Sequence, residues 1–164
     1  MNNDEENIVW FAMRAPFCKE LEAKRLLDKQ AIENFVPMCY KVFEIFVRTT
    51  RRIIRETKRT VPFLQYITMP DAGKNSPIIV PDIQMQQFIS VSRLHNERLI
   101  YLTPEEINLA KGTRVRVLGG PFDGVEGVFV KVRGCRSKRV VILIQGILAV
   151  VVAEVKPDLI EVIG

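Results

Sequence analysis

The chain is poor in the residues from which catalytic and metal centres are built. Histidine occurs once, at His95, and cysteine three times, at Cys18, Cys39 and Cys135. Three widely spaced cysteines with no C-x-x-C pair offer no tetrahedral ligand set, and an odd number gives no closed disulfide framework. That usage fits a reducing compartment. The glycine-rich stretch GGPFDG at 119–124 lacks the Lys-Ser/Thr that lets such a loop hold phosphates, and there is no G-x-G-x-x-G. His95 has no evident nucleophile beside it. Asp71, Asp82 and Asp123 stand at turns or caps, where a short carboxylate bonds backbone N–H groups. No enzymatic activity, cofactor or metal is expected. Long apolar runs are missing as well. The longest, Val140 to Ala153, falls short of the ~20 residues a bilayer span needs and is broken by Gln145 and Gly146. The start, MNNDEEN, is acidic and polar, the opposite of a secretory leader. A cytoplasmic protein without membrane association is expected.

What is present is a folding composition. Hydrophobic residues make up 48% of the 164 residues and charged ones 26%, which suits one ordinary domain or two small ones. The net charge of +5 suits an anionic partner and equally a merely soluble surface. Residues 1–7 are expected to be a frayed tail. Ile8 to Arg14 has the character of a buried strand, and Phe17 to Gln30 follows helical spacing, with Ala23, Leu26 and Leu27 on one side. A second strand is expected through Phe35 and Val36 and a third over Phe43 to Val47. A second helix is expected over Thr49 to Arg59, ended by Pro62. Phe63 to Met69 is expected as a fourth strand and Asp71 to Ser76 as a turn. Ile78 to Val80 is extended, and a short helix follows from Pro81-Asp82 to about Ser92, with Pro pre-set for the first turn. The order strand, helix, strand, strand, helix, strand predicts an α+β domain of the split βαβ, ferredoxin-like kind.

From Lys111 to Val132 the pattern changes. Val115 and Val117 alternate with Arg114 and Arg116, then Gly119, Gly120 and Pro121 interrupt. Val128, Val130 and Val132 alternate with Phe129 and Lys131. A period of two with β-branched residues on one side predicts half-buried strands of a small barrel. Gly124 and Gly127 are placed where the chain turns tightly or another backbone comes close. The expected organisation is an N-terminal domain over 1–101, a polar linker over 102–110 and an all-β SH3-like barrel over 111–164.

Two basic groups stand out. Arg51, Arg52, Arg55, Lys58 and Arg59 fall within roughly a third of a helical circumference at 100° per residue, with Ile53, Ile54 and Thr57 opposite. This suits either a solvated outer face or a cationic strip for nucleic-acid phosphates, which release counterions when neutralised. Lys131, Arg133, Arg136, Lys138 and Arg139 crowd one hairpin with Gly134 at its tip, and no acidic residue occurs between Glu126 and Glu154. Mutual repulsion makes such crowding unfavourable for stability alone. Arginine at such a tip suits phosphate contact and brings no base-specific information.

Several stretches resemble a known family. Gly120-Pro121-Phe122 followed by Gly124 and Gly127 resembles the KOW motif of ribosomal proteins and of the NusG family of transcription elongation factors. The strand beginning Val9-Trp10-Phe11, followed by a split βαβ unit and that barrel, extends the resemblance to NusG over roughly residues 8–163. IENFVPM at 32–38, FVRTTRR at 46–52, PFLQYI at 62–67 and PIIVPDIQMQQFI at 77–89 resemble the UpxY-like antiterminators of Bacteroides capsular polysaccharide operons. The resemblance implies a monomeric transcription elongation and antitermination factor whose N-terminal (NGN) domain docks on the clamp helices of RNA polymerase. Arg14, Phe43, Glu44 and Phe46 match that docking patch, although relatives usually carry aromatic or apolar side chains at the positions of Arg14 and Glu44. It also implies that Gln145, Gly146 and Ile147 form the barrel rim that meets a further partner, such as a ribosomal protein. An aromatic usually stands where Gln145 does and helps contact the termination factor Rho. Between VPM and FVR, the seven residues Cys39 to Ile45 leave little room for the charged hairpin that relatives carry there. The basic groups would face DNA or nascent RNA. An RNA-binding KOW module of the translation apparatus is the alternative, and an interaction protein without a nucleic-acid role is a third reading.

Overall fold

A computed structural model of the chain describes residues 3–37, 44–93, 100–102, 112–144, 148–151 and 155–164. The chain divides into two compact units, Met1–Asp82 and Ile83–Gly164. The first unit runs β1 (Val9–Arg14), α1 (Glu20–Lys29), β2 (Glu33–Phe35), β3 (Glu44–Thr49), α2 (Arg51–Thr60), β4 (Gln65–Tyr66), β5 (Thr68–Asp71), β6 (Lys74–Pro77) and β7 (Ile79–Val80). Its sheet has the order β2-β3-β1-β4, with β7 also on β1, and every pairing in it is antiparallel. Since β2 and β1 flank β3, and α1 connects them, this is the split βαβ arrangement.

Strand β1 is the centre. Trp10, Phe11, Ala12 and Met13 are all buried, which two-sided coverage explains. Phe11 and Met13 pack with Ile45 and Val47 of β3, with Ala23 and Leu27 of α1 and with Ile54 of α2. Trp10, Ala12 and Arg14 point the other way and stand opposite Arg48, Phe46 and Glu44.

Four local features depart from the sequence expectation. Helix α1 starts at Glu20 rather than Phe17, because Phe17 and Cys18 have φ of 60 and 57°. A left-handed residue does not continue a right-handed helix. The expected fourth strand over Phe63 to Met69 is divided into β4 and the start of β5, the first arm of a hairpin inserted between β4 and β7. The expected turn over 71–76 is the tip of that hairpin: β5 pairs with β6 around Ala72 and Gly73, whose φ of 46 and 79° match a type I′ turn. Residues 3–5 form a 3₁₀ turn in place of a frayed tail, and their side chains explain why, as described below. Helix α2 starts at Arg51, two residues after the expected Thr49, with the Thr50 hydroxyl accepting from the Ile53 N–H at 3.2 Å, which satisfies a donor the helix would leave orphaned.

The second unit holds α3 (Asp82–Arg93), which begins at the boundary, and the strands β8 (Ile100–Leu102), β9 (Thr113–Val117), β10 (Glu126–Lys131), β11 (Lys138–Ile144), β12 (Leu148–Val151) and β13 (Ile160–Val162). Their order is β13-β9-β10-β11-β12-β8, the SH3-like succession with β8 added at one end. Residues 100 and 101, expected at the end of the first domain, and Leu102, expected to open the linker, thus pair with β12. Residues 103–111, which hold nearly all of the expected linker, lie outside the described residues. Val115 and Val117 are buried while Arg114 is exposed, and Val130 and Val132 pack with Val141. On the outer side, Arg116 of β9 stands opposite Glu126 of β10 and Glu161 of β13. It donates to Glu126 at 2.6 and 3.1 Å and to Glu161 at 3.5 Å, so one guanidinium ties three strands. Among the described residues, no helix is long and apolar enough to cross a membrane.

Gly124 and Gly127 serve different needs. Gly124 has φ of 79° with open space around it, whereas a Cβ on Gly127 would lie 2.5 Å from the Val141 carbonyl oxygen. Backbone on a neighbouring strand cannot swing away. Gly127→Ala is therefore expected to cost about 1–3 kcal/mol of stability through overpacking, read from the denaturant midpoint. Gly124→Ala is expected to cost about 1–2 kcal/mol through left-handed strain alone.

Candidate functional site

The basic residues of α2 sort into three groups. Arg51 and Lys58 lie over aromatic rings, with the Arg51 guanidinium carbon 6.0 Å from the Phe11 centroid and the Lys58 ammonium 4.1 Å from that of Tyr66. At this range a cation is attracted by the ring face. Arg52 and Arg55, further round the helix, are held by the N-terminal turn. Arg52 Nε donates to Glu6 Oε1 at 2.9 Å, and Arg55 grips both carboxylate oxygens of Glu5 in a two-pronged contact. Arg52 also approaches Glu56, one turn on, at 3.8 Å. Arg59 is exposed and has no ion pair among the described residues. The inner face of the helix is sealed by Ile54 and Thr57, whose hydroxyl donates to the Ile53 carbonyl.

This arrangement fixes charge states. The hydrogen bond and charge of Arg52 hold the Glu6 carboxyl below the usual glutamate range, and Glu6 in turn raises the Arg52 guanidinium. Burial pushes the Tyr66 phenol up, opposed by the nearby Arg55 and Arg51 charges. Glu5 and Glu6 thus stand against Arg55 and Arg52, two of the five basic residues of α2. Nothing in the sequence marks this pairing, because the partners are 46 and 50 residues apart.

The barrel hairpin differs. Lys131, Arg133, Arg136 and Lys138 are exposed and Arg139 is half-buried. Lys131 donates to the Arg136 carbonyl across the tip, and Lys138 lies 5.9 Å from the Phe129 centroid. No carboxylate pairs with any of these five among the described residues.

Of the residues expected to dock on a polymerase, Arg14, Glu44 and Phe46 share one sheet face. Arg14 is exposed at the end of β1, opposite the half-buried Glu44. Phe46 is fully buried, so its ring is a packing element whose removal would disturb the sheet. Phe43 lies outside the described residues, as do Gln145, Gly146 and Ile147. The strands flanking the last three pair antiparallel, with Ile144 opposite Leu148. Two exposed apolar side chains escaped sequence reasoning, Phe17 at 88% and Leu21 at 56% exposure. Phe17 owes its position to the left-handed backbone. An open cleft of about 490 Å³ beside α2 is lined by Gln30, Arg48, Thr50, Glu56 and Thr60 among others, and it holds no nucleophile–base pair. Among the described residues no cluster of His, Cys, Asp or Glu could hold a metal.

No protein-family model matches the chain, and no curated protein matches it. Among solved structures it is similar to Thermotoga maritima NusG, at 19% identity over 96% of this chain and 98% of that one, with a TM-score of 0.53. It is also matched to the MjSpt4:Spt5 complex at 14% identity, over 94% of this chain and 96% of that one, with a TM-score of 0.36. The likeness to Thermotoga NusG establishes the fold: an α+β unit followed by a small β-barrel.

The Glu6–Arg52 pair makes a pH prediction. A carboxyl lowered in the folded state stabilises that state above its unfolded value, and the contribution is lost as pH falls through the folded value. The Glu6 titration midpoint, followed by NMR, is expected below the ordinary glutamate range, and Arg52→Ala is expected to return it to that range.

Proposed function

We propose that this protein is a transcription elongation and antitermination factor of the NusG kind, closest in character to the UpxY-like antiterminators. The observation that supports this best is the joining in one chain of a split βαβ unit and a barrel bearing Gly120-Pro121-Phe122, Gly124 and Gly127, matched along nearly the full length of a NusG. In this reading the N-terminal domain (residues 1–101) docks on the polymerase clamp helices through the face bearing Arg14, Phe43 and Glu44. Phe46 shapes that face from beneath. A ligand that prefers the closed clamp suppresses pausing by its differential affinity for the two states. The α2 strip and the barrel hairpin meet DNA or nascent RNA, and the rim at Gln145, Gly146 and Ile147 takes a further protein partner, a ribosomal protein being the family precedent. The protein acts by binding, without catalysis, in the cytoplasm.

A second reading, an RNA-binding module of the translation apparatus, is favoured by the hairpin alone, whose exposed cations have no carboxylate partner among the described residues. The two separate on polymerase binding. Core RNA polymerase is expected to retain the full-length protein at near-physiological salt. Arg14→Asp reverses an exposed charge at the centre of the proposed face without entering the core, and is expected to weaken retention by about tenfold, equivalent to about 1.4 kcal/mol. Its thermal midpoint should stay near that of the wild type. Failure of the wild type to bind polymerase, with salt-sensitive RNA binding lost on reversing Arg133, Arg136 and Lys138, would favour the translation reading.

A further inference from the structure

The N-terminal turn places carboxylates where a nucleic-acid backbone would place phosphates. Glu5 offers both oxygens to the planar fork of Arg55, the two-pronged geometry that arginine also adopts with phosphate. Glu6 takes the Nε of Arg52 at 2.9 Å. The two arginines are neighbours on one helix face, so the contacts cover Arg55 in the middle of the strip and Arg52 at one edge. They leave uncovered Arg51 and Lys58, on their aromatic rings toward the other edge, and the exposed Arg59.

The contacts are also weak in a specific way. In the Arg52–Glu6 pair the side chains are 53 and 63% exposed, and in the Arg55–Glu5 pair 60 and 39%. Pairs that solvent reaches this freely contribute little to stability and open readily. Stability alone therefore gives slight reason to hold Glu5 and Glu6 over this helix. Tethering nevertheless keeps the carboxylates at a high local concentration.

We propose that the Asp4–Glu6 turn is a built-in phosphate surrogate, which occupies Arg52 and Arg55 and must be displaced before a nucleic-acid backbone can track along α2. The inference rests on the reading of α2 as a nucleic-acid surface. The strip is then open only in the fraction of molecules whose turn has detached, and apparent affinity falls by that fraction. A short or weakly charged ligand leaves the turn in place. A backbone that engages the edge cations as well outcompetes it. The salt response follows from the same arrangement. Arginines already neutralised by carboxylates release fewer counterions from the nucleic acid in net terms, because the freed carboxylates must be neutralised anew.

The test uses the full-length protein and a labelled DNA duplex, alongside its single strand, followed by anisotropy between about 50 and 200 mM salt. Glu5→Gln with Glu6→Gln keeps shape and removes charge. The double variant is expected to bind about three- to tenfold tighter at the lowest salt, given the modest strength of exposed pairs. Its log affinity is expected to fall more steeply with log salt, by up to about 1.8 for the two arginines released. Arg52→Ala with Arg55→Ala should weaken binding and abolish the difference between the two backgrounds. Equal affinities and equal salt slopes for wild type and the glutamine variant, both weakened by the arginine changes, would overturn the surrogate and leave α2 as a binding surface. Absence of binding, or binding indifferent to Arg52 and Arg55 in both backgrounds, overturns the α2 reading and the surrogate with it.

Discussion

The first unit depends on one strand being hydrogen-bonded on both edges and covered on both faces. Strand β1 pairs with β3 along its whole length and with β4 and β7 on the other side. Four successive side chains from Trp10 to Met13 are withdrawn from solvent. A strand so enclosed leaves little surface for recognition. What remains is its end at Arg14, the outer face of α2, and the turn that precedes it.

The two units handle positive charge differently. On α2 the cations are partnered from within the chain, two by aromatic rings and two by carboxylates that lie about fifty positions away. On the β10–β11 hairpin no carboxylate pairs with the cations among the described residues, and like charges are held together by the β-ladder and the Lys131 contact across the tip. A surface that is already compensated binds a polyanion by exchange, whereas an uncompensated one binds it by neutralisation. The first arrangement responds to ligand length and composition, and the second mainly to salt.

How much was legible in the sequence follows from the range of the interactions. Alternation at Val115, Val117, Val128, Val130 and Val132 is a local pattern, and the barrel strands follow it. The crowding at Gly127 was legible for the same reason, since only a residue without a Cβ fits beside a paired backbone. The I′ hairpin at Ala72-Gly73 was hidden because alanine rarely occupies positive φ, so composition indicated a turn without its flanking strands. The late start of α1 had a similar cause at Phe17 and Cys18. The acidic clasp on α2 was invisible because Glu5 and Glu6 look like an ordinary polar tail until the fold brings them to Arg55 and Arg52. The burial of Phe46 was also beyond reach, since residues buried on two faces and on one share the same apolar letters.

The proposed role stands or falls on what the protein does to a transcribing polymerase. The most direct measurement is the transcript distribution made by purified RNA polymerase on a template with a pause site and a downstream terminator, with and without saturating full-length protein. The account predicts shorter pauses and more readthrough, both reduced by Arg14→Asp. An unchanged distribution at saturating protein would contradict it.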